Sequence, residues 1–395
     1  MTRPQSEKRA RILRYVRRKG TTSRGEMGAE FSLDKKAVSI IVDDLLGSGI
    51  LARSGRAGTR PGRPSDLLSL NAGYASVMGI DLGATHVTGI LTDLAGTVLD
   101  RAFFEIRPGL SVDLILQQMK NIGGRLLSSD RAPGRVKQVG ICVPGFVQPS
   151  GGVSIVAENI PGWRDVPVRG IFEAAFGTPV IVNDCSRALA MAEKWLGPGR
   201  DADDFLVLDL GYGIGMGIMA AGTVYSGSAW KSGEIGHTVA VPRGEPCVCG
   251  NRGCLETVAS GRAIARKAEA AITARKSRLL GELTHGIARE VTAQDVAVAA
   301  SMGDAFSGKL LRDAGTAIGG VLACAVNILN PALVVLGGGL VSAGAIFTDA
   351  IRDGFTLGAM PWIREETRLE VSKLGVDGSA RGSALMAAER VIAEV

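Results

Sequence analysis

Over the first seventy residues the apolar positions fall into three helical groups and two short runs. Residues 11–19 place Ile12, Leu13 and Val16 on one helical face. Thr21, Thr22 and Ser23 stand where a short helix over RGEMGAEF needs an N-cap. Ser32 is placed to cap a third helix, LDKKAVSIIVDDLLGSG, with Val38, Ile41, Val42 and Leu45 as its inward stripe and Gly47 and Gly49 as its stop. Lys35, Lys36 and Ser39 point away from much of that stripe. Apolar runs at 50–52 and 67–70 then flank RSGRAGTRPGRPSD, rich in Arg, Gly and Pro. Three helices and a hairpin with a basic tip describe a winged helix-turn-helix. Its third helix would enter a major groove, with Arg56, Arg60 and Arg63 on phosphates or in a minor groove. Asp43 and Asp44 are expected to face away from DNA.

After Asn71 the texture changes. VMGIDLGATHVTGILTDLAGTVL predicts two or three strands joined by tight turns, and FLVLDLGYGIGMGIMAAGTVY does the same much later. Asp81-Leu82-Gly83 aligns with Asp209-Leu210-Gly211, and Gly89-Ile90 with Gly217-Ile218, both at an offset of 128 residues. The shared strand–Asp–Gly–strand logic indicates a duplicated α/β unit. Between the copies, residues 112–127 and SRALAMAEKWLG read as helices, VKQVGICV and PVIVND as strands. Two glycine-rich hairpins would then face each other across a cleft, each offering backbone N–H groups to a phosphate. That layout resembles the actin-like ATPase and sugar-kinase architecture. No charged residue occurs from Ala314 to Thr348, but Asn330-Pro331 and Gly337–Gly339 break the stretch into a buried helix, a strand and a glycine turn rather than a membrane span.

The chain has 395 residues, 46% hydrophobic and 21% charged, which suits a multidomain globular protein. Its opening decapeptide has no apolar core, so no signal peptide is read and a cytoplasmic location is expected. The first seventy residues hold 15 Lys/Arg against 7 Asp/Glu, and the remainder is nearly balanced at 30 against 32. The whole positive excess therefore sits on the helical module, which points to a polyanionic partner.

Three of the six cysteines, Cys247, Cys249 and Cys254, fall within eight residues, and His237 lies ten residues before them. Four N/S donors suit tetrahedral zinc, and a complete set leaves no open position, so the metal is expected to be structural. Cys142, Cys185 and Cys324 sit in apolar segments and are expected to be plain core residues.

The segment from LDLGYGIGMG to EIGH, followed by CVCGNRGCLE, resembles the ROK family of repressors, open reading frames and sugar kinases. DLGATH, ENIPGW, VND and NILNPALVVLGGGL agree, and the resemblance spans about residues 74–395. With the winged helix in front, the chain resembles the repressor branch. The expected fold is α/β: a winged helix-turn-helix over 1–72, a small α/β lobe over 73–186, and a large α/β lobe over 187–395 carrying the zinc loop. The C-terminal helix is free to pack back on the small lobe.

The resemblance also implies a sugar site. Asn183 and Asp184 match the family's Asn-Asp pair, whose Asp is the general base in the kinases. Glu234 and His237 match the Gly-Glu-x-Gly-His contacts, Glu256 closes the zinc motif and binds hydroxyls, and Gly145 and Asn159 sit where the small lobe reaches the sugar. A polyol needs several acceptors and an amide that both donates and accepts, so the set is chemically sensible. The phosphate loops depart from the kinase pattern. The first, with Asp81, Gly83 and Thr85, has Ala84 for a glycine. The second, with Gly211, Gly213 and Gly215, has Tyr212 for a threonine and Met216 beside it. Phosphoryl transfer depends on positioning, so crowded loops predict little or no use of ATP and Mg²⁺. Asp184 is a general base only if kinase activity persists.

The expected function is a sugar-responsive repressor of carbohydrate uptake or catabolism genes. It would bind operator DNA as a homodimer, with a tetramer left open, take a sugar or sugar phosphate between its lobes, and have no membrane contact. Two other readings remain: an ATP-dependent sugar kinase keeping a DNA-binding head, and a scaffold for a protein partner such as a transport component.

Overall fold

The computed structural model describes residues 3–57, 65–106 and 109–395. The head begins with α1 (Arg3–Lys19), β1 (Thr22–Ser23), α2 (Arg24–Phe31) and α3 (Lys35–Gly47). Its antiparallel hairpin is β2 (Leu51–Ala57) and β3 (Ser65–Leu70), and β1 pairs with the far side of β3. Helix α1 starts eight residues before its apolar face, because Arg, Gln, Glu, Lys and Ala are good helix formers without periodicity. Ser23 caps α2, accepting from Glu26 N while Glu26 reaches back to Ser23 N at 2.7 Å. Ser32 does not cap α3. It closes α2 in the left-handed region at φ 51°, and Asp34 caps α3 by accepting from Ala37 N at 2.8 Å. A charged carboxylate at a helix N-terminus also meets the positive end of the dipole.

The small lobe contains β4 (Ser76–Leu82), β5 (His86–Asp93), β6 (Val98–Glu105), α4 (Val112–Leu127) and β7 (Val136–Val143). A small antiparallel sheet of β8 (Phe146–Gln148), β9 (Val153–Val156) and β10 (Arg164–Val166) follows, then α5 (Val168–Phe176), β11 (Val180–Asp184) and α6 (Cys185–Leu196). The large lobe has β12 (Phe205–Leu210), β13 (Ile214–Ala220), β14 (Thr223–Val224), α7 (Leu255–Ala259), α8 (Gly261–Thr273), α9 (Arg278–Leu283), α10 (Ala293–Ser301) and α11 (Ala305–Leu329). It ends with β15 (Leu333–Gly337), α12 (Ala345–Gly358), α13 (Pro361–Glu366), β16 (Arg368–Val371) and α14 (Gly378–Ala393). The charge-free stretch is the end of α11, an Asn330 turn at φ 45°, the fully buried β15 and a glycine turn. Among the described residues no helix is long and apolar enough to cross a membrane.

The two five-stranded sheets run β6-β5-β4-β7-β11 and β14-β13-β12-β15-β16. Directions match as well: two antiparallel pairs, then two parallel ones in each. The hairpins differ by one residue. Leu82 pairs with Val87 across a four-residue turn, and Leu210 with Ile214 across a three-residue turn.

Two helices lie between the sheets, and glycines set how closely they approach. A Cβ at Gly79 or Gly140 would lie 2.0 or 2.1 Å from the Ala380 or Ser383 carbonyl of α14. A Cβ at Gly217 would lie 2.3 Å from the Ser186 carbonyl of α6. Helix α14 thus packs on the small-lobe sheet and α6 on the large-lobe sheet. The two helices cross at Gly382, where a Cβ would lie 1.7 Å from the Ala188 carbonyl. The far end of α14 carries the head. Ala384, Ala387, Ala388, Val391 and Ile392 share a core with Leu13, Val16 and Leu68. Arg14 Nε binds Glu389 at 2.6 Å, and the buried Arg17 pairs with the same carboxylate while its guanidinium lies 3.8 Å over the Trp195 ring.

Candidate functional site

The ends of the two hairpins, the head of α6 and the loop before α7 enclose a cleft of about 340 Å³ between the lobes. From the small lobe come Asp81, the 83–86 turn, Gly145, Glu158, Asn159 and Asp184. The large lobe contributes Asp209, the 211–215 turn, Glu234, His237 and Glu256.

Asp81 ends β4 almost fully buried. Its Oδ2 lies 3.3 Å from His86 Nε2, and its Oδ1 accepts from the thiols of Cys142 and Cys185, both at 3.2 Å. Burial opposes the charged imidazole of His86, but the Asp81 hydrogen bond and charge outweigh it and raise its pKa. Burial pushes the Cys142 thiol up to about 12. Cys142 lies in the core as expected, packed with Ala188 and Met386, with Cys185 half-buried against them, and both thiols also face a buried carboxylate. Cys324 is not in the core; it is exposed on α11, whose apolar face turns elsewhere.

Across the cleft, Asp209 is pushed up to about 6 by burial and then by the Asp81 charge, and it accepts from Ser186 Oγ at 3.4 Å. The second turn closes with Gly211 N donating to Gly213 O at 3.0 Å. Glu256 Oε2 accepts from Ile214 N at 3.2 Å, and a Cβ at Gly213 would sit 2.9 Å from that same oxygen. Gly213 is needed to let the turn approach the acid. Tyr212 stands half-exposed at the cleft. Met216 packs with Ile214, Ile218 and Ile235 in the large-lobe core and also lines the cleft beside the loop.

Of the sugar residues expected from the sequence, Gly145, Asn159, Asp184, Glu234, His237 and Glu256 line the cleft. Asn183 does not. Its Oδ1 accepts from Asp184 N and its Nδ2 lies 3.6 Å from Met386 Sδ of α14. Asn183 thus turns toward α14 while Asp184, the last residue of β11 and the cap of α6, lines the cleft. Gly145 has φ 75°, and a Cβ there would lie 2.1 Å from the Val156 carbonyl. Asn159 Oδ1 is buried without a hydrogen-bond partner among the described residues, which suits a ligand hydroxyl. Glu234 is pushed up to about 7 by burial, then by the charges of Asp184 and Glu158. Near neutrality it can therefore donate as well as accept.

Two residues escaped the sequence reading. Glu158 lies 3.7 Å from His237 Nε2 and lines the cleft; its only signal was adjacency to Asn159 in ENIPGW. Arg187 is buried and pairs with Asp184 at 2.6 Å. It also donates to the Trp230 and Ser232 carbonyls at 2.8 and 3.4 Å. Burial raises the Asp184 pKa, and the Arg187 charge opposes it. An i,i+3 spacing to a helix-capping acid was the available sign.

The metal-like loop is assembled as the spacing suggested. The ligand atoms of His237, Cys247, Cys249 and Cys254 all lie within 4.8 Å of one another. Cys249 Sγ–Cys254 Sγ is 3.7 Å and Cys247 Sγ–His237 Nδ1 is 3.5 Å. A tetrahedron with Zn–S near 2.3 Å has S–S edges of about 3.8 Å, so the donor set fits zinc. Gly253 at φ 72° permits the loop, since a Cβ there would meet the Val241 carbonyl at 1.8 Å. His237 turns Nδ1 to the thiols and Nε2 to Glu158 and Glu234 at the cleft.

In the head, Lys35 and Lys36 are exposed on the first turn of α3 and Ser39 is half-buried. Asp43 pairs with Arg24 at 2.6 Å and Asp44 pairs with Arg9, so both acids are matched by cations within the head. Arg56 lies in β2 with its side chain outside the description, and Arg60 and Arg63 lie outside the described residues.

The sequence pattern of the ROK family matches residues 77–390. A glucokinase of Halalkalibacterium halodurans is 33% identical over 309 residues, covering 77% of this chain and 92% of its own. A putative xylose repressor of a Caldicellulosiruptor species is 30% identical over 367 residues, covering 92% of this chain and 90% of its own. Among solved structures, a ROK family transcriptional regulator, a homologue of the E. coli MLC protein, covers 100% of this chain and 98% of its own at 26% identity, with a TM-score of 0.82.

Proposed function

The chain belongs to the ROK family, and from that footing we propose that it is a sugar-responsive transcriptional repressor of carbohydrate uptake or catabolism genes, acting in the cytoplasm. Residues 1–72 serve as a winged helix-turn-helix, 73–186 as the small lobe and 187–395 as the large lobe. Lys35, Lys36 and Ser39 present α3 to a major groove, and Arg56, Arg60 and Arg63 belong to the wing. Gly145, Asn159, Asp184, Glu234, His237 and Glu256 hold a sugar or sugar phosphate.

The observation that carries this reading is the route along α14. One end of that helix meets the cleft, with Ser379 lining it and Met386 against Asn183, and the other end holds the head through Glu389. A ligand that closes the lobes would shift α14, seated on β4 and β7, against α6 where the two cross at Gly382, and the head would move with α14. The shift in DNA affinity equals the difference in ligand affinity between the two lobe arrangements. His237, Cys247, Cys249 and Cys254 would hold zinc, which would fix the loop leading into Glu256 and the ring of His237. A homodimer on a palindromic operator completes the proposal. Ile328, Leu357 and Trp362, 81, 84 and 74% exposed, give a second copy an apolar face to cover.

The kinase reading keeps one observation in its favour, Asp184 in the cleft beside two phosphate-type turns. Against it, Arg187 already engages both oxygens of that carboxylate, one through its guanidinium and one through its backbone N–H, leaving it less free to meet a sugar hydroxyl. Fluorescence anisotropy with DNA from the protein's own upstream intergenic region, at physiological salt with competitor DNA, tests the proposal. Competitor-resistant binding that changes with one sugar is expected. Binding that competitor abolishes, together with ATP turnover on a hexose, would replace the repressor by the kinase.

A further inference from the structure

The small lobe holds a second cluster of metal-ligating groups, which neither the sugar site nor the zinc loop uses. Asp81, Cys142 and Cys185 each bring one donor atom within 4.8 Å of the other two. The donors come from three rigid elements. Asp81 on β4 pairs directly with Cys142 on β7, Cys142 pairs with Asn183 on β11, and Cys185 opens α6. Both sulfurs lie 3.2 Å from Asp81 Oδ1. A tetrahedral ion with bonds near 2.0 Å to oxygen and 2.3 Å to sulfur has an O–S edge of about 3.5 Å. The two O–S edges thus need only a few tenths of an ångström of adjustment.

Core packing alone does not account for this cluster. A buried carboxylate calls for strong donors, yet those facing Oδ1 are two thiols, weak donors that also reach the Ser379 and Leu82 carbonyls at 3.5 and 3.6 Å. Cys142 does pack on Ala188 and Met386, yet its sulfur, like that of Cys185, turns to the acid. We propose that Asp81, Cys142 and Cys185 form a second metal site, specific for a thiophilic divalent cation of the Zn²⁺ class, with its fourth position open to the interlobe cleft. Asp81 and Cys185 line that cleft, which supplies the entry path, and Cys142 closes the back. His86 holds the other carboxylate oxygen and orients it, as outer groups commonly do around metal ligands. Thiolate donors disfavour Mg²⁺ and Ca²⁺. On binding, both thiols give their protons to solvent, so one divalent ion enters as two protons leave and affinity rises with pH.

Metal stoichiometry tests the proposal on the full chain. The protein is stripped with chelator, equilibrated with buffered Zn²⁺ and analysed by elemental mass spectrometry. Two ions per chain are expected for the unmodified protein, one for Cys247→Ser and one for Cys185→Ser. With Co²⁺ as probe, Cys247→Ser should keep a sulfur-to-cobalt charge-transfer band that the Cys185→Ser, Cys247→Ser double variant lacks. One ion per chain in the unmodified protein would overturn the proposal, and that measurement needs no variant to fold. Two ions unaffected by Cys185→Ser would overturn it as well.

Discussion

The two lobes carry the same five-stranded sheet in the same order, and each holds a cysteine cluster near its Asp–Gly hairpin, yet the clusters are built in opposite ways. The large-lobe donors fall within one stretch, His237 to Cys254, tied by short bridges such as Val239–Cys254 and Pro246–Arg252. The small-lobe donors are 61 and 104 residues from Asp81 and meet only because strand register places them side by side. A site made by one loop depends on local turns and on the metal. A site made by register depends on the whole sheet and stands ready before any ion arrives.

The largest effect expected from this contrast is loss of the loop metal. Cys247→Ser should abolish one bound Zn²⁺ and lower stability by about 4 kcal/mol when zinc is held a thousandfold above its dissociation constant. Thermal melts with and without chelator would show this, and the drop caused by chelator should be smaller for the variant than for the unmodified protein. Next come the helix seats. Gly140→Ala and Gly217→Ala should each cost about 3 kcal/mol by overpacking against α14 and α6. The two differ in reach: Gly140→Ala also weakens DNA binding, because α14 holds the head, whereas Gly217→Ala leaves DNA affinity of the unliganded protein unchanged. Equal losses of DNA binding would break the assignment of one helix to each lobe.

The hairpin acids give a smaller effect that pH reveals. Asp209 has a folded pKa of about 6, above its ordinary 3.8, so its penalty is absent below pH 4 and grows as pH rises through 6. Asp209→Asn should stabilise by roughly 2 kcal/mol at pH 7.5 and by nothing at pH 4, read from denaturant midpoints. The smallest effect lies outside both lobes and sets the scale. Ser23→Ala removes the cap of α2 and should cost about 1 kcal/mol, with DNA affinity falling by the same proportion as folded head.

Much of the molecule was legible where the signal was local. The Ser23 cap, the four-donor His/Cys loop and the two Asp–Gly hairpins all depend on residues close to each other along the chain. Reading failed where tertiary context chose among equals. Ser32 and Asp34 both suit a cap, and the left-handed turn ending α2 settled which one acts. Asn183 and Asp184 both suit a sugar, and the fold turned one of them to Met386. Arg187 gave only its i,i+3 spacing to Asp184, and the Asp81 thiol cluster gave no spacing signal, because its members meet across neighbouring strands.

The seat of α14 has a consequence for synthesis. Gly79 and Gly140 wait for a helix that begins at Gly378, and the head waits for the same helix to supply Ala384, Ala387 and Val391. Roughly 300 residues separate β4 from α14, so at 5–20 residues per second the ribosome leaves that sheet face bare for about 15–60 s. During that interval the nascent chain displays an uncovered apolar sheet and an undocked basic head, a natural client for chaperones. The head and the β4 sheet face become native only when α14 emerges.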